Sequence, residues 1–120
     1  MMGCMFCDGD AYIENELAYA RFDRYPVSEG HVLVIPKKHR KNWFDLTEEE
    51  QYAIVKLISQ LKDLLDKKYL PDGYNIGINC GAAAGQTIAH AHVHIIPRYQ
   101  GDMIDPRGGV RGVIPEQQKY

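Results

Sequence analysis

Apolar and polar positions change their period several times along the chain, and each change marks an element. Leu17 to Phe22 mixes aromatic and apolar residues and reads as a strand. Asp23, Arg24, Tyr25 and Pro26 then supply turn chemistry. Gly30 precedes His31-Val32-Leu33-Val34-Ile35, a β-branched run ended by Pro36, which reads as a second strand antiparallel to the first. From Thr47 the period lengthens. Ile54, Ile58, Leu61 and Leu65 recur at spacings of three and four, with Val55 and Leu57 beside them, which predicts a helix with one buried stripe. Thr47 and Glu50 have the spacing of a capping box, and Glu48, Glu49 and Glu50 suit the positive end of the helix dipole. Pro71 and Asp72-Gly73 stop it. Alternation returns over Tyr74–Asn79, a small-residue loop follows from Cys80 to Gly85, and His90–Pro97 reads as a fourth strand. From about Arg98 the chain is rich in Gly, Pro and charge and reads as an irregular tail. Strands, one helix, then strands predict an α+β fold with a mainly antiparallel sheet.

The chain's 120 residues, spanning 1–120, suit one domain. Fourteen basic against sixteen acidic residues leave a net charge of −2, so no nucleic-acid partner is expected. No apolar run approaches a membrane span, and the first ten residues lack the basic start and apolar stretch of a secretory leader. Three cysteines are an odd count, too few for a disulfide scaffold, and fit a reduced, cytoplasmic setting.

The chemistry concentrates in His90-Ala91-His92-Val93-His94. On a strand, alternation puts the three imidazoles on one face, roughly 7 Å apart, with Ala91, Val93 and Ile95 on the other. Three readings compete: a solvated face, a catalytic metal site built on His-x-His, and nucleophilic, phosphate-handling histidines. The segment just upstream favours the third. Asn79, Gln86 and Thr87 offer hydrogen-bond donors, and Gly81, Gly85 and the alanines between let main-chain N–H groups approach a ligand. No carboxylate there suits magnesium or calcium.

Gly85-Gln86-Thr87-Ile88-Ala89-His90-Ala91-His92-Val93-His94-Ile95-Ile96 resembles the histidine triad signature, and Arg21-Phe22-Asp23 and Gly30–His39 resemble that family's upstream strands. The resemblance runs from about Cys4 to Asp102. It implies a five-stranded sheet with one long helix, extended across a homodimer with C-terminal segments near the partner's site. It also implies hydrolysis of a purine nucleotide joined through its α-phosphate to a leaving group. His92 would be the nucleophile, forming a nucleotidyl-histidine, with its ring oriented by the main-chain carbonyl of His90. His94, Gln86, Thr87 and Gly85 would contact phosphate, Asn79 would sit near the scissile bridge, and Asp23 would grip the ribose hydroxyls. Asp23 reads equally well as a hairpin residue. Substrates would be dinucleoside polyphosphates, nucleoside phosphoramidates or other adenylylated compounds. A transferase or phosphorylase using phosphate or a sugar phosphate as acceptor, and a regulatory module that binds nucleotide without turnover, are the alternatives.

Cys4-Met5-Phe6-Cys7 is a Cys-x-x-Cys that can be a zinc half-site, a redox pair or surface thiols. The resemblance includes a branch in which such a pair joins a downstream His and the first triad His around structural zinc, here Cys4, Cys7, His39 and His90. The clearest dinucleoside polyphosphate hydrolases of the family generally lack this Cys pair, which occurs also in uridylyl- and adenylyl-transferring relatives and in bacterial hydrolases of unknown substrate. Lys37-Lys38-His39-Arg40 also reads as a plain basic turn. His31 reads as a support for the active face or as a core-edge histidine with one hydrogen bond. Cys80 reads as a small buried hydrophobe. Phe6, Tyr12, Tyr19 and Phe22 could line a base pocket or belong to the core. Arg98, Arg107 and Arg111 could meet outer phosphates or stay in solvent.

Overall fold

The computed structural model describes residues 4–7 and 9–120. Five strands form one sheet: β1 (Ile13–Glu14), β2 (Ala18–Phe22), β3 (Val32–Pro36), β4 (Gly73–Ile78) and β5 (Val93–Arg98), in the order β1-β2-β3-β5-β4. Every pairing is antiparallel. A single long helix, α1 (Glu48–Tyr69), links β3 to β4. The fold is the α+β arrangement expected, and β1, two residues long, is the strand that residue pattern alone does not mark.

Thr47 accepts a hydrogen bond from the Glu50 N–H, and the Glu50 carboxylate accepts one from the Thr47 N–H at 2.8 Å, the reciprocal pair read from the sequence. Arg40 Nε also reaches that carboxylate at 3.0 Å, so Glu50, 2% exposed, is buried but paired. At the other end Leu70 takes a left-handed conformation (φ 54°) just before Pro71. The stripe is rotated slightly from the expected one: Ile54, Leu57, Leu61 and Leu65 are fully buried, Ile58 is partly so, and Val55 is exposed. Each buried side chain contributes roughly 2 kcal/mol of transfer free energy. They pack on Ala18, Ala20, Val32, Val34, Ala91, Val93 and Ile95. Gly30, at φ +88°, turns the chain into β3 so close to the Tyr69 ring that a Cβ would lie 2.8 Å from it.

The opposite face of the sheet carries a smaller apolar cluster of Phe6, Tyr19, Leu33 and Ile35. Register places Arg21 of β2, Leu33 of β3, His94 of β5 and Gly77 of β4 in one row across this face. The site therefore lies on the side of the sheet away from the helix.

One correction concerns the strand carrying the histidines. It begins at Val93, not His90, so of the three only His94 belongs to the ladder. The reason is that the main chain here is engaged elsewhere. Ala91 N donates to Arg40 O, the His90 carbonyl accepts from the His92 ring, and the Pro36 carbonyl accepts from the His90 ring. Pro36 has no N–H to extend the pairing. The alternation still holds: Ala91, Val93 and Ile95 face the helix. Beyond Arg98 the chain runs through turns and two short 3₁₀ segments, Gly109–Val113 and Pro115–Gln117. Among the described residues no helix is long and apolar enough to cross a membrane.

Candidate active site

The Cys-x-x-Cys closes a tight turn, with Cys7 N donating to Cys4 O, that drives the Phe6 side chain inward. Both sulfurs then face two imidazole nitrogens. Cys4 Sγ lies 3.4 Å from His39 Nδ1 and 3.3 Å from His90 Nδ1; Cys7 Sγ lies 3.3 and 3.5 Å from the same atoms. A tetrahedral zinc with Zn–S of about 2.3 Å and Zn–N of about 2.0 Å requires sulfur–nitrogen edges of about 3.5 Å. The four side chains fit that geometry, and they form a group able to hold a metal ion. The protonation of His90 also fits. Its Nε2 lies 2.8 Å from the Pro36 carbonyl, which can only accept, so the proton sits there and Nδ1 offers a lone pair to the sulfurs' side. Burial pushes His90 below the usual histidine range, against the opposing pull of the Pro36 carbonyl, and this keeps it neutral.

His90 serves the next histidine through its main chain. Its carbonyl accepts from His92 Nδ1 at 2.8 Å, so the His92 proton is on Nδ1 and Nε2 carries the lone pair. The Phe6 ring packs edge-on against His92, with ring centres 4.9 Å apart.

His94 is set from the other side. Val27 N donates to His31 Nδ1 at 3.0 Å, and a main-chain N–H can only donate. The neutral His31 ring must then carry its proton on Nε2, which lies 3.0 Å from His94 Nδ1. His94 Nδ1 is an acceptor in consequence, and the His94 proton is on Nε2. Burial lowers His31, with Asp23 opposing, and brings His94 down to about 4, with His92 and His31 adding to the effect. Both rings are neutral at pH 7. His92 and His94, with ring centres 5.1 Å apart, thus present one lone pair and one N–H donor, and neither Nε2 has a partner among the described residues.

Both rings line a cleft of about 270 Å³. Of the residues expected at the site, Asp23, Asn79, Gly85 and Thr87 line it too. Asp23 does two things there: Oδ1 accepts from Tyr25 N in a turn, and Oδ2 lies 3.5 Å from His31 Nε2. Gln86 is not in the cleft. Its amide accepts from Gly81 N and donates to the Lys41 and Ile88 carbonyls, so it shapes the loop instead. His90 does not line the cleft and bears on it only through the carbonyl that holds His92. Of the four aromatics considered for a base pocket, Phe6 lines the cleft, Tyr12 and Phe22 pack against the helix-side core, and Tyr19 donates to the Phe6 carbonyl. Cys80 is half-buried. The arginines of the tail stay away: Arg98 is held by Asp102 and Asn75, Arg111 by the carbonyls of Gln117 and Gln118, and Arg107 does not line the cleft. Met5, Arg21, Arg24, Tyr25, Leu33 and Ile88 line it unforeseen. The cross-strand row from Arg21 to His94 is the signal that could have found Arg21.

Comparison with known proteins agrees with this geometry. The HIT domain matches residues 7–101. An uncharacterised HIT-like protein of Mycoplasma pneumoniae is 38% identical over 104 residues, covering 81% of this chain and 72% of its own. A Mycobacterium tuberculosis protein named AP-4-A phosphorylase is 33% identical over 112 residues, 91% of this chain and 57% of its own. An asymmetrical bis(5'-nucleosyl)-tetraphosphatase of Schizosaccharomyces pombe is 36% identical over 91 residues, 76% of this chain and 50% of its own. Among solved structures, a HIT family protein from Bacillus anthracis superposes with a TM-score of 0.78 at 34% identity, over 84% of this chain and 77% of that one. A Zn-bound histidine triad family protein from Mycobacterium smegmatis gives 0.77 at 35%, over 87% and 81%. With a domain match over most of its length and a triad whose rings are wired by main-chain groups, the chain belongs to the histidine triad (HIT) family.

Proposed function

We propose that the protein hydrolyses nucleotides at the α-phosphate through a nucleotidyl-His92 intermediate. One observation carries this reading: the His90 carbonyl fixes the proton of His92 on Nδ1 and leaves a lone pair on Nε2 in the cleft. His92 Nε2 attacks the α-phosphorus, and the bond from phosphorus to the leaving group breaks. The intermediate carries an imidazolium whose Nδ1–H still bonds the His90 carbonyl. Water then adds to phosphorus, the P–N bond breaks, and a nucleoside monophosphate, neutral His92 and a proton result. His94 Nε2–H donates to a phosphate oxygen or to the bridging atom. Thr87, Asn79 and the Gly85 main chain supply further donors, Gln86 holds their loop, and Asp23 accepts from the ribose hydroxyls.

Substrates of this reading are purine dinucleoside polyphosphates, nucleoside phosphoramidates or similar adenylylated compounds. It places structural zinc on Cys4, Cys7, His39 and His90, which with four protein ligands leaves no open position for chemistry. Zinc there fixes the amino-terminal turn, and with it Phe6, against the sheet. The reading further takes the chain as one cytoplasmic unit that pairs with a second copy through β4, an edge strand bonded only to β5, with Ile76 half-exposed on it.

His92→Ala tests the proposal. It should lower turnover of a diadenosine polyphosphate by roughly a thousandfold or more and remove the covalent adduct seen by mass spectrometry. Unchanged turnover would overturn it. The relative named AP-4-A phosphorylase supports a second reading, in which phosphate replaces water. Product that forms only when phosphate is supplied would select it.

A further inference from the structure

Arg21 is 8% exposed, yet it lines the cleft that holds His92 and His94. Its Nη1 donates to the Met5 carbonyl at 3.1 Å, and its guanidinium lies 5.7 Å from the centre of the Phe6 ring. Among the described residues no carboxylate lies within ion-pair distance of it. The Met5 carbonyl takes one of its five N–H groups and the Tyr19 hydroxyl is a second partner, and the guanidinium borders both the cleft and the polar hollow beside it that Gly9 and Asp10 line. A buried guanidinium against an aromatic ring is held in one plane and in one place, which suits recognition of a planar edge.

Position says what that edge belongs to. Arg21 and His94 lie in one row of the sheet with Leu33 between them, two strand spacings or about 10 Å apart at the main chain. With phosphorus at His92 and His94 and the ribose at Asp23, the next group of a nucleotide along the cleft is its base. The walls there are Phe6, Leu33 and Ile88, apolar surfaces suited to the face of a ring. Two arginines, Arg21 and Arg24, border this margin; Arg24 is exposed, whereas Arg21 is buried and fixed by the Met5 carbonyl and the Phe6 ring.

We infer that Arg21 reads the edge of the base and makes the cleft selective for 6-oxopurine nucleotides. Guanine and hypoxanthine place two acceptors, O6 and N7, side by side, and arginine meets that pair with two parallel N–H groups. Adenine places an amino donor beside N7 and offers one acceptor only. This inference rests on the nucleotide reading and names the substrate class within it.

Calorimetric titration of the zinc-loaded chain with GMP, IMP and AMP tests the assignment. GMP and IMP should bind at least about fivefold tighter than AMP, the low end of what a bidentate base contact discriminates. IMP separates the O6/N7 contact from any contact to the 2-amino group of guanine. Arg21→Leu should bring all three within about twofold of one another, with zinc content and circular dichroism as checks on its fold. Wild-type protein that binds AMP as tightly as IMP overturns the inference whatever the variant does. A variant that keeps the ratio overturns it, and so does one that weakens all three equally, since that marks a phosphate contact. Tight binding without base preference leaves the hydrolase reading standing. No binding of any of the three, with no His92 adduct, removes both.

Discussion

Two groups of histidines share one face of the sheet, and they are wired in opposite senses. Cys4, Cys7, His39 and His90 converge with the lone pair of His90 turned toward the sulfurs, because a carbonyl takes the proton on its far nitrogen. Asp23, His31 and His94 also bring three ligand-type atoms together. There, however, a main-chain N–H occupies the far nitrogen of His31, so the near nitrogen carries a proton and points at His94. The first group offers electron pairs to a cation. The second offers a proton already shared between two rings, and a metal would have to displace it. Both groups consist of ligand-type side chains; besides the thiols of the first, the main-chain atom behind each ring separates them.

The sharpest way to break this comparison is to count metal. Purified protein should hold one equivalent of zinc per chain, and a Cys4→Ser, Cys7→Ser double variant should hold none. Loss of the metal should destabilise the chain by about 5 kcal/mol, read as a fall in Tm reversed by nothing but the thiolates. His31→Gln should keep the full equivalent. Two equivalents in the wild type, or loss of metal in the His31 variant, would show that the second group is a metal site after all.

The second group should show itself in catalysis. In His31→Gln the proton of His94 is no longer forced onto Nε2. Turnover should fall by about a hundredfold through kcat, close to 3 kcal/mol, with zinc content unchanged. A KM effect alone would mean that His31 only shapes the cleft.

Much of the first group and of the triad is legible in the residues, because period-two alternation and Cys-x-x-Cys spacing are local signals. The face assignment of Ala91, Val93 and Ile95 follows from that period and holds. The start of β5 does not follow, since it depends on where Pro36, Arg40 and the His92 ring find partners across the fold. The helix stripe illustrates a different limit. Spacings through Leu57 and through Ile58 both fit a helix, and the packing of the sheet beneath decides that Leu57 is the one fully buried. Gln86 and Arg21 show two further limits. A glutamine beside a glycine loop reads as a ligand donor, but its amide closes the loop on three main-chain groups. Arg21 carries no local signal of its own, and its place at the cleft depends on the amino-terminal turn that folds over it.

The pH dependence of stability separates the two groups more finely. His94 titrates at about 4 in the folded chain, against 6.5 as its ordinary value. Between those values the unfolded chain binds a proton that the folded chain refuses, so stability is fully present above pH 6.5 and is lost as pH falls toward 4. The groups facing the ring are His31, His92 and Asp23, of which only Asp23 opposes the shift. Allowing for its partial exposure, the loss is about 2 kcal/mol. His94→Gln should remove this part of the slope in urea unfolding curves, leaving the part due to zinc release. A slope identical in both proteins would show that the metal group alone sets the acid limit.

The smallest expected effect lies in the strap joining the metal group to the helix. The Arg40 carbonyl accepts from Ala91 N, between His90 and His92, and the Arg40 side chain is held by Glu50, which also closes the helix cap. Burial pushes the Glu50 carboxyl up, but the Thr47 N–H and Arg40 outweigh it, and the group stays below its ordinary value. It therefore stabilises the fold above the unfolded carboxyl pKa, and that stability fades as the solution becomes more acid. Glu50→Gln keeps the size and one acceptor for Thr47 but gives up the charge that Arg40 faces. It should cost about 1 kcal/mol at neutral pH, and that cost should shrink as the solution becomes acid enough to protonate the wild-type carboxyl. Because Arg40 lies next to His39, the variant also asks whether the strap is needed to seat the ligand. Unchanged zinc affinity would show that the two cysteines and His90 hold His39 in place without it, and weakened affinity would make the helix cap part of the metal site's support.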